Sequence, residues 1–132
     1  MKTSPDVLEY NAAQPSEHDA VCTELAKLFN KSLPTAESKV WHGHPVWFID
    51  GNPIAGYSIK KSGVQVLFWS GQSFKTAGLK PIGKFKAAGF DVAKADAKTK
   101  SLLKEWLVEA LAIQWDYANV VKKRSLEKLT KF

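Results

Sequence analysis

Apolar residues along the chain recur first at the period of a helix and then at the period of a strand. The helical spacing begins after Pro15-Ser16 and ends at Pro34. The residues that share it are Val21, Cys22, Leu25, Leu28 and Phe29. Ser16 suits the N-cap position, and Glu17 and Asp19 place acids in the first turn, where the helix dipole favours them. This pattern predicts an amphipathic helix with one buried stripe.

From Val40 onward the apolar period changes to two, which is typical of strands. Asp50-Gly51 is a strong hairpin signal. Lys61-Ser62-Gly63 suits a three-residue loop with Gly63 in the left-handed conformation. The pattern predicts four strands, at residues 46–49, 54–60, 64–70 and 85–92.

The last third of the chain returns to helical spacing. Asp96 is a suitable cap for a helix whose apolar stripe consists of Leu102, Leu103, Trp106, Leu107, Ala110 and Leu111. Residues 115–129 show a weaker spacing that indicates a further helical segment. Residues 1–14 show little pattern, so we expect a loose arm there.

The order of these elements predicts an α+β fold. We expect a two-layer sandwich in which an antiparallel sheet of about four to six strands is flanked by N- and C-terminal helices, as in frataxin-like proteins. The helices must bury their apolar stripes on one face of that sheet. The predicted organisation is a loose arm at residues 1–14, an α+β domain at residues 15–112 and a C-terminal helical extension at residues 113–132.

Large aromatic residues fall on the predicted strands, and the pairing register decides which face they occupy. A three-residue loop in the second hairpin pairs Lys60 with Val64. The residues that this pairing places together on one face are Ala55, Tyr57, Leu67 and Trp69. Trp47 stays unassigned, because two- and three-residue turns in the first hairpin place it on opposite faces. On an open face these rings would form a binding patch; beneath the helices they would form core, which is the interpretation we favour.

The composition is that of one soluble globular domain. The chain has 132 residues, of which 45% are hydrophobic and 24% charged. Its sequence shows neither a signal peptide nor an apolar run long enough to span a membrane. The single cysteine, Cys22, cannot form an internal disulfide and falls in the apolar stripe of the first helix. We therefore expect a cytoplasmic protein without membrane association.

Charge is distributed unevenly along the chain. The net formal charge is +6, yet residues 1–37 have a balance of −3 and the remaining residues a balance of +9. Such asymmetry permits binding of an anion, nucleic acid or an acidic partner. Only Arg124 among the 19 cations is arginine, the better reader of phosphates and bases. We therefore favour a solvated lysine surface over nucleic-acid binding.

His42 and His44 flank Gly43 and are the clearest candidates for metal ligands. In an extended strand their side chains would share one face. Two imidazoles need a third ligand from elsewhere. The candidates for that ligand are His18, Cys22, Glu37 and Asp50. We favour a simpler interpretation, in which this stretch is a strand entrance stiffened by Pro45. No standard catalytic motif is present, so an enzyme is the least supported class.

The stretch VWHGHPVWFIDGNPIAGYSIKKSGVQVLFWSG resembles the YdhG-like family, a domain of unknown function. The features that carry the resemblance are Trp41, Pro45, Gly51, Gly56-Tyr57 and the run from Phe68 to Gly71. The later segment GKFKAAGFDV, followed by an amphipathic helix, also fits the family. The match covers about residues 17–112 and is specific as a combination of weak motifs.

The resemblance implies a frataxin-like sandwich with no established enzymatic activity, and in at least one branch an intracellular iron chaperone. Acids on the first helix and at the first turn would hold the cation. Our first hypothesis is a non-enzymatic domain that binds iron or another small ligand for delivery to an acceptor. The metal ligands that we propose for it are His42, His44, Glu17, Asp19 and Asp50.

A second hypothesis, of a different class, is a protein or nucleic-acid interaction module. Aromatic rings can stack on bases or fill the centre of a protein interface, and lysines can neutralise phosphate. The residues proposed for this surface are Trp41, Trp47, Tyr57, Trp69, Lys60 and Lys61.

Overall fold

Helices and strands follow one another in the order predicted for an α+β sandwich. The computed structural model describes residues 4–41, 43–60, 63–76, 78–82, 86–92 and 96–115, and for Glu17 only the backbone. The elements in this part of the chain are α1 (Pro5–Ala12), α2 (Ser16–Ser32), β1 (Glu37–Trp41), β2 (His44–Ile49), β3 (Asn52–Lys60), β4 (Gly63–Phe68), β5 (Lys80–Pro81), β6 (Ala88–Val92) and α3 (Ala97–Ala112). The prediction of an α+β fold, with helices before and after the strands along the chain, is confirmed.

The described strands form one antiparallel sheet in the order β1-β2-β3-β4-β6-β5. Ile49 pairs with Asn52 across the first turn. Asp50 and Gly51 have φ values of 51° and 79°, as a two-residue type I′ turn requires. The Asp50-Gly51 hairpin signal is therefore confirmed. The turn alone would pair Trp47 with Ile54. A register shift between Trp47 and Phe48 pairs Trp47 with Ala55 instead, and its ring packs in the core beneath the helices.

The second hairpin differs from the prediction by one residue. Lys60 pairs with Gly63 rather than with Val64, so only Lys61 and Ser62, which lie outside the described residues, connect the strands. The shift moves β4 to the opposite face relative to β3. Tyr57 pairs with Val66, and the predicted grouping of Tyr57 with Leu67 and Trp69 is wrong.

The helices cover one face of the sheet and bury a large aromatic core between the layers. Its largest fully buried side chains include Trp47, Tyr57, Phe29, Phe68 and Trp106. Cys22 is also fully buried, as its place in the apolar stripe predicts, and burial raises the pKa of its thiol to about 12. Asp96 caps α3 by accepting a hydrogen bond from the Thr99 N–H at 2.9 Å. In α2, however, Pro15 rather than Ser16 occupies the N-cap position.

Residues 5–12 form the helix α1, so the prediction of a loose arm is wrong. Pro5 starts the helix in the position where its missing N–H costs least. Asp6 accepts a hydrogen bond from the Val40 N–H of β1 at 2.7 Å. Asn11 accepts one from the Tyr57 hydroxyl at 2.6 Å in the buried core. Together with the fully buried Val7, these polar contacts to distant strands hold a helix whose own apolar pattern is weak.

The C-terminal extension predicted at residues 113–132 is described only as far as Trp115. Residues 116–132, with the rest of the predicted helical segment, lie outside the described residues. Trp115 is held in place by its backbone and its ring: its N–H donates to the Ser70 hydroxyl, and its indole Nε1 donates to the Ser73 hydroxyl, both at 3.0 Å. The end of α3 is thus tied to the segment that follows β4.

We predict that Tyr57→Phe lowers the free energy of unfolding by about 1–3 kcal/mol, because it leaves the side-chain oxygen of Asn11 (Oδ1) buried without its hydrogen-bond donor. Urea unfolding measures the change. Tyr10→Phe is the matched control: the Tyr10 hydroxyl is half-buried and accepts only a long bond of 3.3 Å from the Ile59 N–H. Equal losses in the two variants would contradict this interpretation of the Tyr57–Asn11 bond.

We predict that Asp6→Asn lowers the free energy of unfolding by an amount that depends on pH. The Ser4 hydroxyl, followed by the Val40 N–H, holds the pKa of the Asp6 carboxyl below its ordinary value of 3.8. The ionised form is therefore favoured by folding, and its contribution is present above pH 3.8 and is lost as the pH falls through the lowered value. Unfolding curves from pH 7 to pH 2 should show the variant and the wild type converging at acid pH. A constant difference would contradict the linkage.

Candidate binding surface on the outer face of the sheet

A second apolar cluster lies on the face of the sheet opposite the helices, which we call the outer face. Val46, Gly56 and Leu67 pair in register across β2, β3 and β4 and mark this face. Three of the cluster's aromatic side chains come from β1, β2 and the end of β4, and none of its members comes from a helix. The outer aromatic cluster consists of Trp41, His44, Val46, Phe48, Leu67 and Trp69.

The rings of the outer aromatic cluster form a continuous set of contacts. Trp41 meets Phe48 edge to face, with centroids 5.4 Å apart and planes at 75°. Its ring also lies beside that of Trp69, with centroids 6.2 Å apart. His44 stacks on Trp69 with centroids 6.3 Å apart and planes at 29°. Such pairs stabilise one another beyond the area that they bury. The rings are therefore held as a preformed unit rather than as separate side chains.

Gly56 allows β2 and β3 to lie close together beneath this cluster. A Cβ atom built at Gly56 would lie 2.5 Å from the Pro45 carbonyl oxygen and 3.3 Å from Val46. Because both contacts involve the backbone of the neighbouring strand, a side chain here would force the strands apart. In the sequence pair Gly56-Tyr57, Gly56 thus permits the close approach of the strands on the outer face, and Tyr57 packs in the core on the inner face.

The border of the outer face carries charges of both signs. The Lys39 ammonium lies 4.8 Å from the centroid of the Phe48 ring, in a cation–π arrangement. The pairing register places Glu37, Lys60 and Asp91 on the same face, and all three are exposed. Trp41, His44 and Leu67 are half-buried, whereas Phe48 and Trp69 are each only 8% exposed. The surface therefore has an apolar centre with partly accessible members and a mixed-charge border.

The structure divides the aromatic residues that the sequence grouped as one partner surface. Trp41 and Trp69 belong to the outer aromatic cluster. Trp47 and Tyr57 are fully buried on the helix side of the sheet, where the Trp47 indole donates to the Asn30 side chain at 2.8 Å. The prediction of a binding surface that includes Trp47 and Tyr57 is wrong for that reason. Lys60 is on the outer face, and Lys61 lies outside the described residues.

The proposed metal ligands are not brought together in the described part of the chain. His44 is on the outer face, whereas Asp19 is on α2, on the other side of the sheet, where it accepts a hydrogen bond from Thr23. Asp50 is exposed in the β2–β3 turn. His42 and the side chain of Glu17 lie outside what the structure describes. Among the described residues, no group of three histidine, cysteine, aspartate or glutamate side chains could hold a metal ion.

Three residues of the outer aromatic cluster were not among the candidate site residues from the sequence: Val46, Phe48 and Leu67. His44 was a candidate only as a metal ligand. The alternation of Val46 and Phe48 with Trp47 along β2 was visible in the sequence. What was missing was the register of the two hairpins, because that register decides which members of an alternating strand face the helices.

Comparison of the chain with protein-family models, with curated proteins and with solved structures finds no significant match. In the part of the chain that the structure describes, no helix is both long enough and apolar enough to cross a membrane. The outer aromatic cluster is therefore interpreted from its own geometry.

We predict that Gly56→Ala destabilises the protein by about 1–3 kcal/mol, because the added methyl group meets the backbone of β2. It should also change the near-UV circular dichroism of the tryptophans above it. Gly89→Ala in β6 is the matched control: an added Cβ there would meet the flexible end of Ile82 at 2.6 Å, and its approach to the neighbouring backbone, at the Val66 carbonyl oxygen, is longer at 3.1 Å. Chemical unfolding of both variants tests the difference. A larger loss for Gly89→Ala would show that the close approach at Gly56 is unimportant.

Proposed function

We propose that this chain is a non-enzymatic, cytoplasmic interaction domain of the YdhG-like type, which binds a partner protein on the outer face of its sheet. The observation that carries the proposal is the outer aromatic cluster, a preformed set of rings on the face opposite the helices. The resemblance of residues 17–112 to the YdhG-like family supports a binding role without catalysis.

The composition of the outer face favours a protein partner over nucleic acid. Centres of protein interfaces are rich in tryptophan, phenylalanine and tyrosine, and their borders are polar. Here the outer face carries two acids together with three lysines: Glu37, Asp91, Lys39, Lys60 and Lys80. A surface that follows a phosphate backbone would instead be uniformly basic, because its affinity comes mainly from neutralising phosphates.

The environment of the obvious nucleophiles supports a role without catalysis. The Cys22 thiol is fully buried, and desolvation keeps it protonated at neutral pH. The Ser70 and Ser73 hydroxyls accept hydrogen bonds from Trp115 and thereby anchor the end of α3. These groups stabilise the fold.

Iron delivery, which the family resemblance implies, is not the function that this geometry favours. His44 and Asp19 lie on opposite sides of the sheet and cannot share one ion. The half-buried His44 ring instead stacks on Trp69, within the proposed partner surface.

We predict that a photo-crosslinking amino acid placed at position 41 captures a specific protein from a lysate of the source organism. The same amino acid at position 108, where Val108 is 67% exposed on α3, should not capture it. With the captured protein purified, Trp41→Ala should weaken binding by about tenfold or more, as is typical of a central aromatic contact. Val108→Ala is its matched control and should bind as the wild type does.

The charge at the border gives a second test of the same surface. Lys39→Glu should weaken the complex, and the size of the effect should fall as salt is raised. Lys98→Glu, an identical change at an exposed position on α3, should leave the affinity unchanged. Capture that is equal from positions 41 and 108, or a Trp41→Ala variant with unchanged affinity, would refute the proposed surface.

A further inference from the structure

Two pairs of lysines face one another across a groove between α2 and α3, on the side of the molecule opposite the outer face. The groove has a volume of about 250 Å³ and is lined by Glu24, Lys27, Leu28, Lys31, Lys100 and Lys104. Lys27 and Lys31 are one helical turn apart on α2, and Lys100 and Lys104 are one turn apart on α3, so each wall presents two ammonium groups. Leu28 is buried and gives the groove an apolar lining residue.

The described residues that line this groove carry an excess of positive charge. Four lysines and one glutamate give its lining a net formal charge of +3. Glu24 forms an ion pair with Lys100, at 3.6 Å between Oε2 and Nζ, and both side chains remain more than a third exposed. Like charges one turn apart on a helix repel each other, and the packing of α2 against α3 adds repulsion between the walls. A bound anion would relieve this repulsion.

The chemistry of the lining residues indicates which anion fits. Lysine binds phosphate as a compact point charge, whereas planar recognition of carboxylates is better served by arginine, and the cations of the described lining are all lysines. Cations on both walls suit a ligand with more than one negative group. A volume of 250 Å³ is below the range of about 300–1,000 Å³ that is usual for sites of drug-sized ligands, so the ligand should be small.

We infer that the α2–α3 groove binds a small molecule that carries a diphosphate or two neighbouring phosphate groups. Lys27, Lys31 and Lys104 contact the phosphates, and Glu24 limits the affinity by engaging Lys100 and by adding a negative charge beside the ligand. This site goes beyond the proposed partner surface and does not depend on it, because the sheet separates the groove from the outer aromatic cluster.

The test is a titration of the full chain with sodium pyrophosphate at constant ionic strength, followed through backbone amide shifts by NMR. We expect saturable shifts centred on the lining residues of α2 and α3, with half-saturation below about 1 mM. Lys27→Gln combined with Lys104→Gln removes one cation from each wall and should raise the Kd by about tenfold or more. Lys60→Gln combined with Lys80→Gln removes the same charge from exposed positions on β3 and β5 and should leave the Kd nearly unchanged.

A variant that removes a negative charge from the groove distinguishes a specific site from general attraction of anions to a basic protein. Glu24→Gln should tighten pyrophosphate binding by about two- to fivefold, since it frees Lys100 from an exposed ion pair. Glu37→Gln, which changes the net charge equally at an exposed position on β1, should not tighten it. The inference is overturned if shifts do not saturate by about 10 mM, or if the control pair of lysines weakens binding equally. Tighter binding to a single-stranded oligonucleotide or to anionic phospholipid vesicles, at equal phosphate concentration, would also overturn it.

Discussion

The register of the two hairpins that join β2, β3 and β4 is the constraint on which the rest of the structure depends. Asp50 and Gly51, with φ values of 51° and 79°, fix the first turn, and the pairing of Lys60 with Gly63 fixes the second. Because side chains alternate between the two faces of a strand, these turns and the register shift between Trp47 and Phe48 decide which face each ring occupies. They place Trp47 and Tyr57 among the helices and leave a second aromatic set on the opposite face.

The elements that the sequence predicted well are those whose apolar period reports directly on burial. The stripes of α2 and α3 and the alternation in β4 belong to this class, and the Asp96 cap is a local signal. Most of β2 and β3 is buried on both faces, so their pattern did not report which side chains meet the helices. The helix α1 escaped prediction, because beyond the single buried apolar residue Val7 it is held by polar contacts to residues far along the chain. Asp6 meets a residue 34 positions away and Asn11 a residue 46 positions away, and no local pattern encodes either contact.

The candidate sites depended on information of a different kind. Trp41 and Trp69 could be singled out by residue type, but a one-residue error in the second hairpin grouped Trp69 with rings from the other face. The α2–α3 groove was out of reach for sequence reasoning, since it joins two lysines from the acidic part of the chain with two from the basic part. Only the packing of one helix against the other brings these charges together.

The position of α1 has a consequence for self-association. β1 is an edge of the described sheet, and edge strands with free backbone groups template the addition of further strands. α1 lies along this edge, where Asp6 occupies the Val40 N–H and the Ser4 N–H donates to the Ser38 hydroxyl. The helix therefore blocks the pairing of β1 with a strand of another molecule. Truncation or proteolysis that removes it would expose a polymerisation edge and would also take Val7 and Asn11 out of the core.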